Sequence, residues 1–133
     1  MSSPSSPLLL DTHILVWAIS ASDKISSRAR RAMSRPAASL TVSIISVWEI
    51  ILKHQAGKLL LRSSLSEVLD LMFYRSPWRI LPVTSEHLTA LAALPTLHKD
   101  PFDRLLVAQA QHEDLTIVST DEQVSKYEVR TIW

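Results

Sequence analysis

The stretch "LHKDPFDRLLVAQAQHEDLTIVSTDEQ", residues 97–123, decides the fold. It reads as a helix that ends near Glu113 and runs directly into a short β-branched strand, 115–119, followed by an acid at Asp121. The start of the helix is written in Asp100-Pro101-Phe102-Asp103: an N-cap acid, a proline at the first helical position, and a second acid at N3 beside the positive end of the helix dipole. Both carboxylates thus have a purely structural reading, and chemistry must be argued from the rest of the chain.

Outward from that stretch the same grammar repeats. "LLLD" (8–11) is an apolar run stopped by an acid, and "ILVWAIS" (14–20) reads as a short helix. A basic helical pattern follows over 24–35, then a β-branched strand over 39–43. "SVWEIILKHQAGKL" (46–59) is amphipathic and closes at Gly57, the only glycine, which fits a C′ cap. Residues 64–75 and 85–94 read as helices, 78–83 as a strand, and "EVRTIW" at the C-terminal end as an edge strand. Strands alternating with helices predict a layered α/β fold with a mostly parallel sheet.

Composition bounds the function. With 133 residues, 47% of them hydrophobic, the chain fits one domain over residues 8–133 preceded by a Ser/Pro-rich leader, "MSSPSSP", over 1–7. Fourteen Lys and Arg against thirteen Asp and Glu leave a net charge of +1, so no global basic field announces a nucleic-acid binder. The absence of cysteine removes disulfides, thiolate metal sites and cysteine nucleophiles. Scarcity of glycine removes phosphate-cradling loops. The apolar run near the start lacks a basic flank and is interrupted by Asp11 and His13, which argues against a signal peptide or membrane span and for a cytoplasmic location.

In an open parallel sheet, ligands bind at the carboxyl ends of the strands, where Asp11 and Asp121 fall. Glu49 sits among Val47, Trp48, Ile50 and Ile51, and Asp103 begins the late helix. Each acid has an ordinary alternative: an N-cap or turn for Asp11 and Asp121, a Ser46–Glu49 capping box or a Glu49–Lys53 pair, a helix start for Asp103. Four carboxylates converging on one pocket would resist ionisation unless a cation neutralised them. Oxygen ligands without thiolate or a His-x-x-x-His spacing select Mg²⁺ or Mn²⁺ over Zn²⁺, and such an ion suits phosphodiester hydrolysis. The five histidines share no spacing and read as structural, and the four tryptophans as core or interface packing. Lys53, Lys58, Lys99 and Arg104 are candidate phosphate contacts, each with a solvated face or local ion pair as the plainer reading.

"LLLDTHILVWAI", "SIISVWEIILKHQAGKL" and "LHKDPFDRLLVAQAQHEDLTIVSTDEQVSKY" together resemble, in order and spacing, the PIN-domain family, most closely the VapC-type toxins of toxin–antitoxin pairs. The resemblance implies a three-layer α/β/α fold and a Mg²⁺- or Mn²⁺-dependent endoribonuclease. It makes Asp11, Glu49, Asp103 and Asp121 the catalytic metal ligands and Thr12 the hydroxyl beside the first acid. Ser119 stands where the family usually has Thr, and Asp100 goes to the helix cap, with a water-mediated metal role as a lesser alternative. The implied partners are RNA, a VapB-type antitoxin and a second copy of the chain. Apolar helices between Leu65 and Leu94, with Met72, Phe73 and Tyr74, would supply the dimer face or antitoxin groove. The alternatives are a non-catalytic RNA- or partner-binding PIN domain and a receiver-like signalling domain, whose acid pair and late lysine are missing. A haloacid-dehalogenase-like phosphatase would need an acid where His13 stands.

Overall fold

The computed structural model describes residues 7–35 and 39–133. The leader therefore lies outside the described residues except for Pro7, whose carbonyl accepts from Thr116 N–H at 3.1 Å. Five strands, β1 (Leu8–Leu10), β2 (Leu40–Ser43), β3 (Arg79–Leu81), β4 (Thr116–Val118) and β5 (Thr131–Ile132), form one sheet in the order β3-β2-β1-β4-β5. All four pairings are parallel. The order reverses at β1, which puts a topological switch point between β1 and β4, at the end of the sheet where Asp11 and Ser119 emerge.

The leucine run of β1 explains why that strand is central. Leu8 and Leu10 pack with Val42 and Val118 beneath α1 (Thr12–Ser20), α2 (Ser27–Ser34), α3 (Ile44–Gln55) and α4 (Leu65–Asp70). Leu9 and Ile117 face the opposite way, onto α5 (Ser85–Ala93) and α6 (Pro101–Glu113). Side chains that alternate across a sheet buried on both faces give the three-layer α/β/α arrangement. Each fully buried leucine contributes roughly 1.5–3 kcal/mol of transfer free energy.

Local chemistry sets the helix ends. Asp100 Oδ1 accepts from the N–H groups of Phe102 (2.9 Å) and Asp103 (3.3 Å), with Pro101 at N1, as the sequence predicts. Gly57 has φ +72° and closes α3 in a Schellman motif: Gly57 N–H donates to His54 O (3.1 Å) and Lys58 N–H to Lys53 O (2.8 Å). The predicted Ser46–Glu49 capping box is not there. Strand β2 passes into α3 without a loop, so the N-cap is Ser43, whose Oγ accepts from Ile45 N–H at 3.1 Å. Ser46 and Glu49 are consequently buried in the helix body. Helix α4 continues as a wider π turn over Leu71–Arg75, which buries Met72 in the core and leaves Tyr74 exposed, so Met72 is no part of an apolar outer face.

A buried polar tie joins the carboxyl end of β2 to the α5/α6 layer. Ser43 Oγ donates to Gln109 Oε1 (2.5 Å), and Gln109 Nε2 donates to Pro82 O (3.2 Å). His87 Nδ1 accepts from Thr84 N–H (3.0 Å), while Thr84 Oγ1 accepts from His87 N–H (3.3 Å), a capping box with histidine in the usual Glu or Gln place. Its Nε2 therefore carries the proton and donates to Glu113 Oε2 at 2.9 Å. Gln109→Leu should leave the Ser43 hydroxyl proton without its acceptor and Pro82 O without the Gln109 donor, and lower unfolding free energy by about 2–3 kcal/mol in urea denaturation.

Candidate functional site

Asp11 occupies the N-cap position of α1, yet its carboxylate makes no capping hydrogen bond. It accepts instead from Ser119 Oγ at 2.6 Å, across the switch point from β1 to the end of β4. The same Ser119 oxygen accepts from Asp121 N–H at 3.0 Å, so one hydroxyl holds the first acid and the backbone of the fourth. Asp121 Oδ1 in turn accepts from Gln123 N–H at 2.9 Å. Thr12 Oγ1 donates to Ser46 Oγ at 2.9 Å and pins the start of α1 to α3, one turn before Glu49.

Glu49 is 4% exposed. One carboxylate oxygen, Oε2, pairs with Lys53 Nζ at 2.7 Å, the i,i+4 partner expected from the sequence, and the glutamate raises the lysine above its ordinary range. The other, Oε1, is buried without any hydrogen-bond partner. An orphaned, buried carboxylate oxygen is costly unless something positive meets it.

Asp103 shows the same conflict from the other side. Burial first, then the charges of Asp11, Asp100, Glu49 and Asp121, push its carboxyl up to about 8. Asp11 is also raised, mainly by burial and in part by Glu49, against the lowering bond from Ser119. All four acids and Asp100 line one cleft of about 810 Å³, with Lys53, Lys58, Lys24 and Arg62 among its walls. A divalent cation fits this donor set because it would satisfy Glu49 Oε1 and cancel the repulsion on Asp103. Lys99 and Arg104 do not line the cleft, and Arg104 donates to Leu94 O at 3.4 Å.

The sequence reading missed one member. His98 Nε2 donates to Asp103 Oδ2 at 3.2 Å and lies 3.9 Å from Asp121 Oδ2, so this histidine belongs to the acidic cluster and is no scattered structural residue. The signal that could have found it is its place two residues before the Asp100 cap, on the segment that delivers Asp103. Trp48, one of the tryptophans read as core or interface packing, is 53% exposed and meets Phe102 edge-to-face at 5.4 Å, joining α3 to α6 beside Glu49 and Asp103.

The family model for the PIN domain matches residues 8–129, and the chain belongs to that family. Among solved structures, VapBC2 from Rickettsia felis, bound to a DNA fragment from its promoter, superposes with a TM-score of 0.71 at 18% identity, covering 95% of this chain and 97% of that one. FitAcB from Neisseria gonorrhoeae gives 0.68 at 21% identity, covering 95% and 96%. VapBC-1 from nontypeable Haemophilus influenzae gives 0.66 at 16%, also covering 95% and 96%. At these identities the likeness is one of fold. No curated protein sequence matches the chain.

The raised carboxyls dictate how stability follows pH. Asp103 keeps its proton in the fold up to about 8, whereas the unfolded chain releases it near 3.8, so the folded state binds more protons across that window. Its contribution is complete below about pH 4 and is withdrawn as pH rises towards 8. The ion-free protein should therefore lose thermal stability between pH 5 and pH 8. Millimolar Mg²⁺ or Mn²⁺ should raise Tm more at pH 8 than at pH 5, as scanning calorimetry at both values would show.

Proposed function

We propose that this PIN-domain chain, folded over residues 8–133, is a metal-dependent endoribonuclease of the VapC toxin type. The observation that carries the reading is the convergence of Asp11, Glu49, Asp103 and Asp121 on one cleft, with Glu49 Oε1 buried and unpartnered. Mg²⁺ or Mn²⁺, when bound, supplies a water of lowered pKa and neutralises charge developing on a phosphodiester.

The chain's own residues perform the rest. Asp11, Glu49 and Asp103 would hold the ion, and Asp121 would help with a second one or orient water. Ser119 fixes the Asp11 carboxylate through its 2.6 Å bond, which keeps an oxygen aimed into the cleft instead of at the helix N-terminus. Thr12 fixes α1 against α3, so that Asp11 and Glu49 keep their separation. Lys53 holds Glu49 Oε2 in place, and Lys24, Lys58 and Arg62 give the cleft walls positive charge for the phosphates of RNA on either side of the scissile bond. Displacement in line at phosphorus would leave a 5′-phosphate and a 3′-hydroxyl.

The toxin role rests on the fold shared with VapBC2, bound to promoter DNA, with FitAB, bound to a DNA fragment, and with a toxin–antitoxin complex from Klebsiella pneumoniae. We assign a VapB-type antitoxin as partner, a homodimer as assembly and the cytoplasm as location. Among the described residues no helix is long and apolar enough to cross a membrane.

Two substitutions separate the site from its scaffold. Asp11→Ala and Asp103→Ala should each lower metal-dependent cleavage of a fluorogenic RNA by more than about 100-fold, beyond the loss of a supporting partner. Asp100→Ala should mainly cost about 1 kcal/mol of stability, the worth of a cap. Undiminished cleavage by Asp11→Ala would refute the assignment.

A further inference from the structure

His98 places an imidazole nitrogen against Asp103 and Asp121, and its position is built. Leu97 N–H donates to the buried Tyr127 hydroxyl at 3.2 Å one residue before it, and Asp100 caps α6 two residues after it. The short segment carrying His98 is therefore tied to the core at one end and to a helix at the other. Its imidazole is 20% exposed, and Nε2 faces Asp103 Oδ2 at 3.2 Å and Asp121 Oδ2 at 3.9 Å. One donor atom from each of these three residues falls within 4.8 Å of the other two. Ligand atoms about 2.0–2.2 Å from a common ion lie roughly 3–4 Å apart, so the three need only small adjustments to share one.

We propose that His98, Asp103 and Asp121 form a mixed nitrogen–oxygen cation site in which His98 Nε2 is a direct ligand, biasing the protein towards Mn²⁺ over Mg²⁺. This deepens the metal-dependent reading and rests on it. A second observation points to a cation in the cleft that Asp103 and Asp121 share with Glu49: Glu49 Oε1, on a side chain 4% exposed, has no partner. The preference follows from ligand chemistry. Imidazole is a softer donor than carboxylate or water and binds more strongly to ions further along the first-row series, whereas Mg²⁺ holds its waters and gains little from nitrogen. In the ion-free protein the Nε2 proton lies between the ring and Asp103; for an ion to take its place the ring would pass to the tautomer protonated at Nδ1, leaving the Nε2 lone pair for the ion.

The test uses the full chain with Mn²⁺ or Mg²⁺ alone, without RNA. Pulsed electron paramagnetic resonance of bound Mn²⁺ should show ¹⁴N modulation in the natural protein and in His13→Gln, which alters the histidine that lines the cleft itself. The modulation should vanish in His98→Gln. Calorimetric titration should show Mn²⁺ affinity falling at least about 10-fold in His98→Gln, while Mg²⁺ affinity changes far less. Substoichiometric Mn²⁺ should also broaden the His98 ring resonances of the natural protein before those of the other histidines, a readout that needs no variant. Tight Mn²⁺ binding without ¹⁴N modulation, or modulation that survives in His98→Gln, would overturn the role of His98 and leave the carboxylate site standing. Failure of the natural protein to bind either ion would overturn both.

Discussion

The repulsion among buried carboxylates at the carboxyl end of the sheet is the constraint on which the rest of the structure turns. Burial and four neighbouring acids together hold the Asp103 carboxyl at about 8, and Glu49 keeps an oxygen with nothing to bond. A fold selected for stability alone would replace these groups or pair them. Here Lys53 opposes them on Glu49 and His98 on Asp103. The core on both faces of β1, and the polar tie through Ser43, Gln109 and His87, hold the edge in place against that repulsion. Local cost at the site is offset by burial elsewhere, the usual relation between a stable scaffold and a strained functional centre.

The position of each acid follows from topology. Because the strand order reverses at β1, the loops after β1 and β4 diverge and open a crevice, into which Asp11 and Asp121 are delivered by adjacent strands. Helix α3 brings Glu49 because β2 enters it directly at Ser43. Helix α6 brings Asp103 because the Asp100 cap fixes its first turn. The motif Asp100-Pro101-Phe102-Asp103 thus serves two ends at once: the first carboxylate satisfies the helix, and the helix then aims the second at the cleft.

Much of this was legible in the chain. The leucine run of β1, the Asp100 cap and the Gly57 terminator are local signals, and local signals were enough for the order of elements and the parallel sheet. Three features were not local. Ser43 reads as the end of a strand; because β2 runs straight into α3 it also caps the helix, its hydroxyl held by Gln109, and this displaces the alternative Ser46–Glu49 box. His98 has no spacing partner in sequence; its neighbours Asp103 and Asp121 reach it through the fold, five and twenty-three residues away. For Trp48 the sequence left core and interface packing open, and the fold decides it: the α3 face it occupies turns outwards beside Phe102. In each case a contact made across elements overrode the reading of a single one.

The central claim is that the acids are held together for a cation and against their own stability. Its most direct test is the unfolding of Asp103→Asn at pH 8, with and without Mn²⁺. Without metal the variant should be more stable than the natural protein, because a buried, repelled carboxylate has been replaced by a neutral side chain of the same shape, and Mn²⁺ should then stabilise it little. A variant that is less stable without metal, yet still gains the full stabilisation from Mn²⁺, would contradict the account.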